Sequence, residues 1–337
     1  MKKYRWFICL LILLFSQHVF SQEYFVIIDD GIGCSYVNTT GEKINDKPLG
    51  VCTKFSDHRA VVSEYNSLIW YLLTEKGEKI PLEVSKFKFE SSFSNGMLAI
   101  EKDKKYGYLD TTWKLVVPLK YDEVTDFDHG YAIAKSDKKY FIITKTGKEI
   151  PITNPEITRI KSFSEGLAAF VSAKDHQIGF IDSTGQIVIQ PKFKGVGYFN
   201  GGLAWAKTIT DEKVGFIDTQ GNWAIPPKFD LVKNFDAESG MARVKINDQW
   251  AYTNTKGEVL YMTTTHYGDF NNGLALGALN GKSGYFDKTG NWVIKPQFEN
   301  ANSFHNGYAM ANVRGFWGII DTQGKWVLPP TFIIFNF

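Results

Sequence analysis

The 337-residue sequence has almost no net charge, three cysteines and no run of Ala, Leu, Glu and Lys at helical spacing. The missing helical pattern argues against an α-rich fold. The charge balance, 38 Lys+Arg against 36 Asp+Glu, offers no basic footprint for nucleic acid or for an anionic membrane surface. Signatures of chemistry are also missing. There is no nucleophile elbow, Walker loop or His-Glu-x-x-His motif, and His58, His129, His176, His266 and His305 lie at no metal-ligand spacing. No catalytic, cofactor or metal site is therefore expected.

Only one long apolar run is present, the ten residues Trp6 to Phe15. It is shorter than the roughly 20 residues of a membrane helix. It follows Lys2, Lys3 and Arg5 and precedes Val19-Phe20-Ser21, the pattern of a secretory signal peptide over residues 1–21 with cleavage before Gln22. Without Lys2, Lys3 and Arg5, 35 basic side chains face 36 acidic ones, so the mild basicity belongs to the leader. The mature chain is expected outside the cytoplasm: periplasmic, on the cell surface or extracellular. Its two remaining cysteines, Cys34 and Cys52, would meet an oxidising compartment and could form a disulfide, or stay as two small buried side chains.

What is abundant is aromatic residues, 15% of the chain, and 30 glycines, the mixture of strand formers and turn formers of an all-β protein. They recur with a period. Gly179-Phe180-Ile181-Asp182-Ser183-Thr184-Gly185 returns as Gly215 to Gly221, Gly284 to Gly290 and Gly318 to Gly324. With weaker copies, the turn position falls at residues 41, 77, 113, 147, 185, 221, 257, 290 and 324, at intervals of 33 to 38. Phe-x-x-Gly keeps step with it at Phe93, Phe127, Phe163, Phe199, Phe270 and Phe304, with a longer version at Phe235, and Ala follows two residues after the Gly at Ala132, Ala168, Ala204, Ala242, Ala275 and Ala309.

One unit reads as three short strands. Strand a follows Phe-x-x-Gly, strand b carries Gly-aromatic-Ile, and strand c ends at proline, as at Pro226-Pro227. Asp and Gly three residues apart form a turn between b and c, in which the carboxylate accepts a backbone N–H and Gly permits positive φ. The Gly in strand b leaves room for a neighbouring ring or backbone. Strand b is apolar on both faces, so both are expected to be covered by neighbouring units.

Trp317-Gly318-Ile319-Ile320-Asp321-Thr322-Gln323-Gly324, continued by Lys325-Trp326-Val327-Leu328-Pro329-Pro330-Thr331-Phe332, resembles the WG-repeat family. Lys105-Tyr106-Gly107-Tyr108 and Trp292-Val293-Ile294-Lys295-Pro296-Gln297-Phe298 resemble it too. The likeness is strong from about residue 105 and weaker before 100. It divides the mature chain into divergent repeats at 22–100 and regular ones at 101–337, the last incomplete. The resemblance implies bacterial origin and a β-repeat structure, and brings no shared catalytic residues.

The expected architecture is an elongated β-solenoid of stacked three-stranded meanders, with a closed propeller-like ring as the alternative. The expected function is a non-catalytic secreted or envelope binding or scaffolding module for a protein partner. An alternative is a cell-wall or glycan binder, in which Trp223, Trp292 and Trp326, at one repeat position, form a stacking ladder. The opposing possibility for these rings is packing between repeats. A second alternative is a hydrolase in a divergent repeat, for which the irregular stretches are 153–158 and 208–213. Asp110, Asp182, Asp218, Asp287 and Asp321 are read as turn residues rather than as a calcium ladder, which would need several oxygens close together.

Overall fold

The computed structural model describes residues 24–29, 33–67, 69–81, 87–89, 92–210, 212–261 and 265–332. The leader at 1–21 lies outside the described residues. All regular structure among those described is strand, joined in antiparallel meanders. No helix among them is long and apolar enough to cross a membrane.

The repeat unit has four strands rather than three. In unit 4 they are Glu123–Val124, Tyr131–Ser136, Lys139–Thr144 and Glu149–Pro151, paired in that order. The additional strand opens the unit, within the stretch expected to be an irregular return. Glu123 pairs with Lys135 and Val124 with Ala134. The same two-residue opening strand recurs at Leu231–Val232 and Asn300–Ala301. Strand c also runs further than expected. It passes through proline at Leu115–Tyr121, Trp223–Phe229 and Trp292–Phe298. Proline fits there because it lacks an N–H and this segment carries a register shift in its pairing with strand b.

That shift explains the glycine of strand b. A Cβ on Gly215 would lie 2.4 Å from the Ile225 carbonyl oxygen, and one on Gly318 would lie 2.5 Å from that of Leu328. Gly107, Gly179 and Gly284 meet the same obstacle from Val117, Ile189 and Ile294. The backbone of strand c presses onto strand b, and only glycine permits the approach.

Successive sheets bury their apolar faces against each other. The buried aromatic of strand b meets the Phe of the next unit's Phe-x-x-Gly, edge to face, as in Phe180–Phe199 (5.1 Å), Phe216–Phe235 (4.6 Å) and Tyr252–Phe270 (5.2 Å). Where that aromatic is Tyr, its hydroxyl donates to a carbonyl of the next unit: Tyr36 to Thr53, Tyr108 to Thr125, Tyr252 to Gly268 and Tyr285 to Asn302. The recurring Ala is buried in the same interfaces, as Ala132, Ala168, Ala204 and Ala242 show.

The two ends of the array meet. Val37 of the first unit shares a core with Ile319 and Leu328 of the last. These contacts copy those of an internal interface, where Ile217 of one unit packs with Phe180 and Ile189 of the preceding one. Glycine contacts repeat as well. A Cβ on Gly41 would lie 3.4 Å from Leu328 Cδ2, as one on Gly221 would lie 2.7 Å from Ile189 Cγ2. Lys54 and His305, from opposite ends of the chain, are also in contact. The structure therefore does not confirm the elongated solenoid expected from the sequence. Its ends would be far apart, whereas here they share packing of the kind seen at an internal interface.

Candidate functional site

The turn aspartates act as local caps. Asp182 Oδ1 accepts the N–H of Thr184 at 2.8 Å, that of Gln186 at 3.1 Å and the Thr184 hydroxyl at 2.6 Å. Asp110 and Asp287 do the same with Thr112 and Lys114, and with Thr289 and Asn291. Asp218 and Asp321 accept the equivalent pairs of N–H groups. Partial burial alone would raise the pKa of Asp110, Asp182 and Asp287. The donated hydrogen bonds outweigh it and hold all three below the ordinary value. Asn38 and Asn254 take over the role in less regular units. Among the described residues no group of three or more His, Cys, Asp or Glu is placed to hold a metal ion.

Trp223, Trp292 and Trp326 are half-buried and packed on neighbours. Trp223 stands edge-on to Phe193 at 5.8 Å, and Trp326 to Phe298 at 5.7 Å. Their rings lie over Gly215 and Gly318 of the adjacent strand, and Trp292 lies over Gly277 and beside His266 at 5.0 Å. The glycine of strand b thus admits a backbone and a ring together. The three tryptophans are each in contact with a ring of a neighbouring strand.

Cys34 and Cys52 are joined as a disulfide, with Cα atoms 6.2 Å apart. The bridge ties the first unit, whose strands are Tyr24–Asp29 and Gly33–Asn38, to the strand Leu49–Cys52 that opens the second. The histidines are dispersed. His58 pairs with Glu75, His129 with Asp128, and His305 with Lys54. Burial, then the Lys54 charge, lowers the His305 pKa.

Two features went unrecognised in the sequence. The first is the role of the basic residue before the strand b glycine. Lys105 reaches Asp122 at 2.6 Å, Lys213 reaches Asp230, and Lys282 reaches Glu299 at 3.7 Å, each across to the next unit. The same carboxylates accept an N–H from the hairpin tip of that next unit, at Asp137, Asn247 and Gly315. The constant spacing of 17 residues between Lys and carboxylate was the available signal.

The second feature is a cleft of about 380 Å³ where unit 4 meets unit 5. It is lined by Lys135, Lys138, Lys139 and Arg159, with Tyr140 and the loop Ile152 to Pro155. In regular units strand c continues past proline to a fully buried ring: Tyr121, Phe193, Phe229 or Phe298. That ring sits opposite the first part of strand b, as Tyr121 does against Tyr106. In unit 4 strand c stops at Pro151, and no such ring follows opposite Tyr140. Instead the Ile152 N–H donates to the Tyr140 carbonyl, and an Asn154 turn redirects the chain into the strand Ile157–Ser164. One of the irregular stretches, 153–158, thus opens a cleft.

An all-β array of four-stranded meanders whose ends meet defines a propeller-like repeat protein. The model for WG-containing repeats matches five times across the chain, at residues 106–140, 178–208, 215–250, 284–315 and 317–332, so these segments are WG-type repeats. No curated protein is significantly similar to it in sequence. Among solved structures it is similar to a eukaryotic initiation factor, with TM-score 0.60 and 12% identity over 90% of this chain and 94% of that one. It is less similar to virginiamycin B lyase from Staphylococcus aureus (TM-score 0.33, 14% identity, 71% and 91% covered). Kluyveromyces lactis Hsv2 is comparably distant (TM-score 0.37, 9% identity, 80% and 92% covered). These likenesses concern the fold.

Proposed function

We propose that the mature chain is an exported, non-catalytic binding or scaffolding ring of the bacterial cell envelope whose ligand is a protein. In this reading nine units close into one propeller-like ring through the packing of Val37 on Ile319 and Leu328. The observation that carries it is how the repeat spends its recurring residues. Asp, Gly, Lys, Ala and the aromatics make turns and unit-to-unit contacts, while the hairpin tips between strands a and b take four different sequences among five units. The tips are Asp103-Lys104, Asp137-Lys138, Asn247-Asp248, Asn280-Gly281 and Arg314-Gly315, all at positive φ. A constant scaffold with variable tips is suited to recognition. Export rests on the leader-like residues 1–21. Glycan stacking by Trp223, Trp292 and Trp326 is the weaker reading, because those rings are already engaged.

The test is to immobilise the mature protein and challenge it separately with solubilised envelope proteins and with purified peptidoglycan. Saturable, stoichiometric retention of a protein is expected, with no retention of peptidoglycan. Retention of peptidoglycan alone, or turnover of a glycan or peptide substrate, would overturn the proposal.

A further inference from the structure

The cleft between units 4 and 5 departs from the rest of the molecule in charge as well as in shape. The chain outside the leader is nearly neutral, with 35 basic and 36 acidic side chains. Four cations nevertheless line this one cleft, and no carboxylate does. Lys135 pairs with Glu123 at 2.6 Å, but Glu123 is not part of the lining. Lys138, Lys139 and Arg159 are exposed, and among the described residues they form no ion pair with a carboxylate. They gather at a place where the repeat pattern has been given up.

Several basic residues elsewhere are engaged. Lys105, Lys213 and Lys282 reach carboxylates, while Lys192 and Lys228 donate to the carbonyls of Gly221 and Gly257. The cleft also offers more than charge. Tyr140 is half-buried in its wall, with Lys135 Nζ 5.7 Å from the ring centroid. The Asn154 turn fixes the opposite wall, since Asn154 accepts the Glu156 N–H through its side chain and the Ile157 N–H through its carbonyl.

We propose that this cleft binds an acidic peptide segment of the partner, with the apolar stem of a Glu or Asp against Tyr140 and its carboxylate among Lys138, Lys139 and Arg159. Charge complementarity selects the occupant, and the volume of about 380 Å³ suits two or three side chains rather than a folded domain. The proposal rests on the protein-binding reading above and names the chemistry of its ligand.

The test uses the full mature chain and fluorescence anisotropy with a labelled hexaglutamate peptide, against hexaglutamine of equal length. The variants are the double charge reversal Lys138→Glu/Lys139→Glu, the single Arg159→Gln, and Lys288→Glu as a control on an exposed turn of unit 8. Because the substituted side chains are exposed, the thermal midpoint should stay at the wild-type value, which separates lost binding from lost folding. Hexaglutamate should bind, hexaglutamine should not, and added salt should weaken binding. The double variant should bind at least tenfold more weakly, Arg159→Gln several-fold more weakly, and Lys288→Glu as wild type. Absence of hexaglutamate binding, an equal effect from Lys288→Glu, or binding of an acidic polysaccharide in place of the peptide would each overturn the proposal. Envelope-protein capture that survives the double variant would overturn the cleft but leave the protein-binding reading standing. No capture even by the wild type would overturn that reading itself.

Discussion

Substituting Gly215 by alanine isolates the contact around which the repeat is built. Gly215 lacks the positive φ that restricts turn glycines, so alanine brings no backbone penalty there. The added methyl instead has nowhere to go. It would sit 2.4 Å from the Ile225 carbonyl oxygen, 2.8 Å from Pro227 N and 2.8 Å from Trp223 Cζ3. An ordinary C···O contact is about 3.3 Å. Strand c would therefore have to retreat by about 0.9 Å, taking Ile225 and Phe229 with it. Both are fully buried in the core shared with unit 7. Overpacking of this kind costs about 1–3 kcal/mol where the core can adjust, and the upper end applies when backbone must move. Gly290→Ala is the informative comparison. A Cβ there meets nothing within 4 Å, but φ is +85°, a conformation costing about 1–2 kcal/mol for an L residue. Urea titration followed by Trp fluorescence should show the larger fall in midpoint for Gly215→Ala. If Gly290→Ala destabilises as much or more, the close approach of strand c to strand b is not what the glycine serves.

Three further outcomes follow from named contacts. The Asp122 pKa is lowered by Lys105, then by the Asp137 N–H, and the Asp230 pKa by Lys213. Their stabilisation is complete above the unfolded carboxylate value of about 4 and is lost as pH falls through the lower folded values. Acid unfolding below pH 4 should therefore become shallower in Lys105→Met, and an unchanged profile would remove the role given to this inter-unit pair. Thiol titration of the denatured mature chain without reductant should read zero. Reduction of Cys34–Cys52, 18 residues apart, should destabilise by about 2–4 kcal/mol, and two free thiols before reduction would contradict the bridge. A metal chelator should leave the melting temperature unchanged, because turn N–H and hydroxyl groups occupy Asp182 and its equivalents; a fall would mean that a cation contributes to stability.

The turn chemistry and the need for glycine in strand b were legible in the sequence because each depends on residues close together in the chain, and the period was legible because the motif returns at intervals of 33 to 38. The opening strand was not. Glu123–Val124 and Leu231–Val232 are two residues long, too short for any alternation to register. Pro226 and Pro227 suggested the end of strand c, yet the strand continues through them to Phe229. The meeting of Val37 with Ile319 and Leu328 was equally hidden. A solenoid and a ring have the same repeat, and only the small rotation between units tells them apart. For the candidate site, the signal present was the 38-residue interval between Gly147 and Gly185. It marked the irregular unit but did not reveal that Lys135, Lys138, Lys139 and Arg159 would converge there.

End-to-end closure is tested most directly by small-angle X-ray scattering of the mature chain. A compact fold of about 315 residues has a radius of gyration of about 20 Å. Nine units stacked about 10 Å apart in an open rod would span about 90 Å, giving about 26 Å from length alone. Packing of Val37 against Ile319 and Leu328 predicts the smaller value and a compact distance distribution. A radius of 26 Å or more, with the skewed distribution of a rod, would contradict it.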